Sequence, residues 1–283
     1  MLMKDGLLLI DKDSGETTRY IDNYISKKFG IKKVGHLGTL DPFATGLVIV
    51  GVGKGTKALT FLEESNKSYI ARLALGKSTS TFDRDGEIME EKRVPYYHID
   101  TVKKAVESLT NITSQTPPMF SAIKINGTPL YKLARNGLEI ERKEREVRIF
   151  ESMLLAYCPP HIDFLVNVSK GTYIRSLGVE LAKRLDNIGY LEQLRRISIS
   201  SFSLLNAKKK EEISENDFIS IKEALSSYPS LEIEGNNIKE VKNGKRMKID
   251  KDDPSLLLYN KNEALAIYKK DEDGLYSCLR GLF

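Results

Sequence analysis

Asp41 stands in the twelve-residue string GHLGTLDPFATG, Gly35 to Gly46, between Gly-Thr-Leu and a proline. A carboxylate can serve as a nucleophile or a general base if it is ionised and held still. The residues around it are of the kind that hold a loop still. Gly35, Gly38 and Gly46 open backbone conformations closed to other residues. Pro42 fixes its own φ and biases Asp41 toward an extended conformation. Behind the small stretch Ala44-Thr45-Gly46 runs an apolar segment, Leu47 to Val52, suited to a buried strand. The string thus describes a constrained polar loop that aims a carboxylate from the mouth of a strand. An Asp-Pro pair alone would be read as a turn whose Asp caps its own backbone; the whole string is what singles out Asp41.

The elements that must hold this loop follow from periodicity. Gly6 to Asp11 reads as a first strand ending in the turn Asp13-Ser14-Gly15. A helix starts at Thr17 or Thr18, either of which can cap it; Ile21, Tyr24, Ile25 and Phe29 recur at helical spacing, and Gly30 stops it. Thr56 to Glu63 reads as a short helix. Ser68 to Leu75 reads as a strand with Tyr69, Ala71, Leu73 and Leu75 on one face. Asp100 to Leu109 is a helix with Val102, Ala105, Val106 and Leu109 inward. Ile162 to Val168 alternates as a strand, Thr172 to Leu185 reads as a helix, and a charged, helix-like stretch lies near Lys208 to Leu225. Strands that alternate in polarity favour a mixed or antiparallel sheet over a buried parallel one. Periodicity alone leads to α/β or α+β. A boundary is expected between about Ser226 and Asn237, in SSYPSLEIEGNN, with short strands beyond it.

The 283 residues suffice for one large domain and a small one. A chain with 41% hydrophobic and 29% charged residues reads as globular. No apolar run is long enough to span a bilayer. The start, MLMKDGLLLIDKDSG, lacks the shape of a signal peptide, so a cytoplasmic location is expected. Cys158 and Cys278 are expected as free thiols. His36, His98 and His161 have no metal-ligand spacing with them, so no structural zinc is expected. A net charge of +5 permits a polyanionic partner without requiring one.

The string around Asp41 resembles the catalytic motif of the bacterial tRNA pseudouridine-55 synthases, the TruB family, with Phe43 where the family usually has Leu. Four more segments resemble that family: KSYIARLALGKSTSTFDRDGE (Lys67 to Glu87), TPPMFSAIKINGTPLYKLARNG (Thr116 to Gly137), SKGTYIRSL (Ser169 to Leu177) and LEQLRRISIS (Leu191 to Ser200). The resemblance implies an α+β (mixed α/β) pseudouridine-synthase fold, with a bent mixed, largely antiparallel sheet around an RNA-binding cleft. It places the catalytic domain at residues 1–230, with a T-arm-binding insertion at about 116–148. It makes residues 231–283 a short PUA-like β-barrel that binds RNA.

The implied activity is the isomerisation of uridine to pseudouridine in the T-loop of tRNA. That reaction is redox-neutral and uses no group donor, so no cofactor and no metal are expected. Asp41 becomes the catalytic carboxylate. Arg175 becomes its partner, a guanidinium that favours the charged form and fixes its orientation. Tyr69 becomes the residue that stacks on the flipped base and serves in C5 proton removal, and Tyr173 a wall of the pocket; aromatic faces recover part of the stacking lost on extrusion. His36 is implied to help displace the base, and Leu194 to lie beside it.

Lys54 and Lys57 are candidates for RNA phosphates, although GVGKGTK fails the Walker pattern because Gly55 follows Lys54. Lys132 and Arg135 are candidates by their place in the T-arm segment. Arg142, Lys143, Arg145 and Arg148 interleave with Glu139, Glu141, Glu144 and Glu146 and read equally as a solvated face. DRDG, Asp83 to Gly86, reads as a turn. The partner expected is tRNA, through its T-arm, with no membrane, and the chain is expected to act as a monomer. Two rival readings remain: a tRNA-folding chaperone without chemistry, and a guide-dependent enzyme acting on ribosomal RNA.

Overall fold

The computed structural model describes residues 5–62, 66–125 and 127–283. Its main elements are β1 (Gly6–Lys12), α1 (Thr18–Phe29), β2 (Val34–Leu37), β3 (Thr45–Val52), β4 (Lys67–Leu75), α2 (Ile99–Glu107), α3 (Leu130–Arg135), β5 (Ile149–Cys158), β6 (His161–Val168), α4 (Ile174–Arg184), β7 (Gly189–Ile199) and β8 (Phe202–Ser203). These are followed by β9 (Ser230–Glu232), β10 (Ser255–Asn260), β11 (Glu263–Lys270) and β12 (Tyr276–Gly281). The large sheet has the order β1-β3-β7-β4-β6-β5, with β2 on β3 and β8 on β7. Among the described residues only β3 and β7 pair in parallel within it, so the chain forms the mixed, largely antiparallel sheet that the resemblance implied and that polarity alternation favoured over a parallel one.

Period-two alternation sorts the side chains of this sheet onto two faces. On one face Leu8, Ile10, Val48, Val50, Tyr69, Ala71 and Leu73 meet apolar residues of α1, α2 and α4 in one buried cluster. On the other face Leu7, Leu9, Leu47 and Ile49 pack with Leu257, Ile267 and Leu282 from the C-terminal part. There β9 to β12 form a separate four-stranded sheet in that order.

One detail of the topology makes the site. Along one edge β3 pairs with β1. Its other edge is divided, with β2 covering Ile49 to Val52 and β7 touching only Thr45 and Gly46. The loop from Gly38 to Ala44 leaves through that fork. Gly46 is required there: its φ is +104°, and a Cβ would stand 2.3 Å from the Arg196 carbonyl oxygen.

Local signals hold where no distant partner competes. Thr17 caps α1 by accepting from the Tyr20 N–H, and Gly30 ends the helix in the left-handed conformation at φ +68°. The helix expected from Thr56 is a short turn over Gly55–Ala58 followed by a 3₁₀ turn over Leu59–Leu62, and its expected end, Glu63, lies outside the described residues. The stretch from Lys208 to Leu225 is not one helix. It carries a 3₁₀ turn at Glu215–Asp217 and a helical turn at Ile221–Ala224. Its backbone is drawn to the free edge of β1: Leu7 and Ile219 exchange hydrogen bonds of 2.9 Å, and Asp11 donates to the Lys208 carbonyl at 2.8 Å. An unpaired strand edge offers hydrogen bonds that a marginal helix cannot match.

Among the described residues no helix is long and apolar enough to cross a membrane. Cys158 and Cys278 are both free thiols.

Candidate active site

The loop in the fork is tied down from beneath. Lys12 is fully buried at the end of β1, and its Nζ donates to the carbonyls of Asp13, Glu16 and Pro42 at 2.9, 2.8 and 3.1 Å. The Ser14 hydroxyl donates to the Phe43 carbonyl at 3.0 Å, and the Gly15 N–H to Pro42 at 2.8 Å. Arg196, also fully buried, donates from Nε to Leu47 and from Nη2 to Gly38. With its neighbours clamped on both sides, Asp41 keeps a defined direction while its side chain stays 35% exposed.

Arg175, in the first turn of α4, faces it from across the cleft with a side chain only 4% exposed. Its Nε lies 2.9 Å from Oδ2 of Asp41, and Nη2 donates to Oδ1 at 3.4 Å. Two backbone carbonyls fix the guanidinium plane: Nη1 donates to Thr81 and Nη2 to Phe120, both at 2.7 Å. The second carboxylate on this cation is Asp83, with Oδ2 3.4 Å from Nη1. Burial pushes the Asp83 carboxyl above the usual range, against the Thr81 hydroxyl and Arg175. Asp83 belongs to the DRDG turn, whose Gly86 N–H donates to the Asp83 carbonyl.

Asp41, Tyr69, Tyr173, Arg175, Leu194 and Arg196 line one cavity of about 380 Å³. That is within the range of roughly 300–1,000 Å³ typical of small-molecule pockets. Tyr69 reaches it from β4 and Leu194 from β7, strands that neighbour one another. Tyr173 reaches it from the residue that precedes α4. There Gln115 clasps its backbone, accepting from the N–H at 2.7 Å and donating to the carbonyl at 3.1 Å. Burial raises the Tyr173 phenol above its ordinary pKa. Ser121 and Ala122 enter the cavity wall from the segment beyond Gln115.

The structure thus brings Asp41, Arg175, Tyr69, Tyr173 and Leu194 together. His36 stands at the rim: its Nε2 lies 3.4 Å from the hydroxyl of Thr39, which does line the cavity. Lys54 and Lys57 are not in the cleft. Lys54 lies 3.9 Å from both Asp5 and Glu263, and Lys57 donates to the Phe283 carbonyl at 2.6 Å. Lys132 is exposed on α3 and away from the cavity wall; the side chain of Arg135 lies outside the described residues.

Lys12, Asp83 and Arg196 are the residues that sequence reasoning missed. A buried lysine has one visible signature here. Burial pushes its pKa down to about 8, against the pull of Glu16 and Asp41. The ammonium has three protons for three carbonyls, and the neutral amine has two. Turnover should therefore decline as pH rises through about 8, by about tenfold, and Lys12→Met should be slower with that decline absent. A loss of stability through the titration of Lys12 itself cannot imitate this. The folded pKa lies below the ordinary value near 10.5, so between the two the unfolded chain binds more protons and this group adds stability as pH rises. Single-turnover rates and thermal melts at each pH check it.

The description of the TruB family pseudouridylate synthase, N-terminal domain, matches residues 26–174, over half of the chain. The chain belongs to the TruB pseudouridylate synthase family. The tRNA pseudouridine synthase B of Syntrophotalea carbinolica is 41% identical over 244 residues, covering 84% of this chain and 80% of that protein. The enzyme of the same name from Mycoplasma mycoides subsp. mycoides SC is 35% identical over 285 residues, covering 99% of this chain and 98% of that one. Among solved structures, the chain in a Cbf5-Nop10-Gar1 complex matches with a TM-score of 0.72 at 19% identity, over 99% of this chain and 85% of that one. An H/ACA RNP bound to a substrate RNA containing 2′-deoxyuridine matches with a TM-score of 0.71 at 18% identity, over 98% of this chain and 84% of that one. At such identities the likeness speaks for the fold, and the mixed sheet of this TruB-family chain is the one those structures share.

Proposed function

We propose that this protein isomerises uridine to pseudouridine at position 55 in the T-loop of tRNA. The observation that carries the reading is the Asp41–Arg175 pair at 2.9 Å on the wall of a cavity of about 380 Å³. A pure RNA binder has no use for a carboxylate pointed at a polyanion. An enzyme that must break a glycosidic bond does. The N1–C1′ bond breaks, the uracil turns, C5 joins C1′, and the proton lost from C5 is balanced by the one gained at N1. The ionised Asp41 enters either as the nucleophile at C1′ or as the base that takes a ribose proton. Arg175 aims it through Nε and Nη2. Tyr69 offers a face to the extruded base and a phenol for the C5 proton, with Tyr173 and Leu194 closing the other sides. His36 meets a nucleotide at the rim.

In this reading residues 1–230 are the catalytic domain and the insertion at about 116–148 receives the T-arm. The insertion is tied to the chemistry through the Phe120 carbonyl on Arg175. Residues 231–283 act as a short PUA-like RNA-binding part. The partner is tRNA and the chain acts as a monomer in the cytoplasm.

A tRNA transcript carrying tritium at uridine C5 tests the proposal. The isolated protein is expected to release one equivalent of tritium and to leave pseudouridine at position 55. Release that needs added guide RNA and partner proteins would favour the ribosomal-RNA reading. Refolding of misfolded tRNA without release would favour the chaperone.

A further inference from the structure

The inner face of α1 is made by Thr18, Ile21, Asp22 and Ile25. Three of these suit a helix laid on a sheet. Asp22 does not: it is 2% exposed, and a carboxylate so placed is costly unless its charge is met. Its Oδ2 lies 2.8 Å from Nδ1 of His36, and its Oδ1 has no hydrogen-bond partner among the described residues. Among the described residues the other cation within reach is Arg19, with Nη1 3.6 Å from Oδ2 and a side chain 74% exposed. His36 stands on β2 between this carboxylate and Thr39 of the cavity wall. An ionised carboxylate can only accept, so the proton of a neutral ring belongs on Nδ1, and Nε2 is the nitrogen turned to the rim.

We propose that Asp22 is a positioning residue of the RNA site: it takes the Nδ1–H of His36 and so presents Nε2 as an acceptor to a nucleotide at the cleft rim. The complementary RNA group must carry a proton, either a ribose 2′-hydroxyl or a base N–H; a phosphate oxygen has none to give. The pairing also fixes the ring plane. A buried partner on the far nitrogen orients histidines in this way wherever their other nitrogen has a task. The proposal rests on the reading that His36 contacts RNA.

The experiment compares His36→Ala, Asp22→Leu, Asp22→Asn and the double variant His36→Ala/Asp22→Leu. It measures the Kd for an unmodified tRNA transcript, the single-turnover rate at saturating tRNA, thermal melting, and the His36 tautomer by nitrogen NMR. His36→Ala and Asp22→Leu should each weaken tRNA binding by about tenfold, with the larger part of the loss in Kd rather than in the rate. Asp22→Asn, whose amide oxygen still accepts, should recover most of it. Asp22→Leu should add nothing to His36→Ala, because the two act as one unit. The wild-type ring should carry its proton on Nδ1.

An unaffected Kd in Asp22→Leu beside a weakened His36→Ala would overturn the role of Asp22 alone. So would an equal loss from Asp22→Leu with and without His36, the mark of a strut between α1 and β2. Wild-type affinity in His36→Ala would instead remove the reading beneath it. If Asp22→Leu does not fold, Asp22→Asn decides: a proton moved to Nε2 with affinity retained overturns the proposal.

Discussion

Asp41→Asn is expected to abolish pseudouridine formation, a loss on the order of 10⁴-fold or more, while the protein stays folded and binds tRNA. The substitution changes one atom and little shape. The amide neither ionises nor attacks C1′ nor removes a ribose proton, so both chemical routes close together. The surroundings do not depend on it. Arg175 keeps Thr81, Phe120 and Asp83, and the loop keeps Lys12 and Ser14. The Asp41 side chain is 35% exposed, so removal of its charge should shift stability by no more than about 1 kcal/mol. Loss of a negative charge beside RNA should leave the Kd equal or slightly tighter. Tritium release in single turnover and filter binding measure the two halves. Turnover by the variant within tenfold of wild type would remove Asp41 from the chemistry. A collapse in binding would make it a scaffold residue.

What the sequence made legible divides along a physical line. Asp41, Tyr69, Tyr173, Arg175 and Leu194 could be named because each sits in a short string that resembles the TruB family, and all five meet at one cavity. Strands and helices with strong periodicity, such as β4 and α1, could be placed because the spacing of their apolar residues is a local signal. Distant partners were not visible. Lys54 and Lys57 sit in a glycine-rich string that invites phosphate, yet Asp5, Glu263 and Phe283 engage them from far along the chain. Asp83 reads as one member of a turn, and it is one; that its carboxylate also faces Arg175 depends on a helix much later in the sequence. Nothing in the sequence around Lys12 marks its role, which comes from three carbonyls of two loops that converge on it in the fold. Local composition also favoured a helix after Lys208, where the edge of β1 took the backbone instead.

Arg175→Met tests the buried charge that faces two carboxylates of the site, and its effects should fall on stability and turnover together. The methionine fills similar volume but leaves Asp83 buried with no cation. Breaking such a pair from one side costs about 3–5 kcal/mol. Asp41 loses the group that aims it, and turnover should drop by about 10²–10³-fold. The stability loss has a sign in pH. Burial already raises the Asp83 carboxyl, and Arg175 opposes that rise, so its removal pushes the carboxyl higher still. A carboxyl raised in the folded state binds its proton there first. The variant should therefore regain stability as pH falls through that raised value, while wild type gains less. Asp83→Asn in the same background should restore stability near neutral pH and leave turnover low, which separates the two roles. Arg175→Lys keeps the charge but cannot reach Asp41, Asp83, Thr81 and Phe120 from one plane, so it should recover stability more than rate. Denaturant unfolding at neutral and mildly acidic pH, beside single-turnover tritium release, gives both readings. A methionine variant within about 1 kcal/mol of wild type, or within threefold in rate, would mean that the guanidinium holds neither carboxylate in the way its contacts imply.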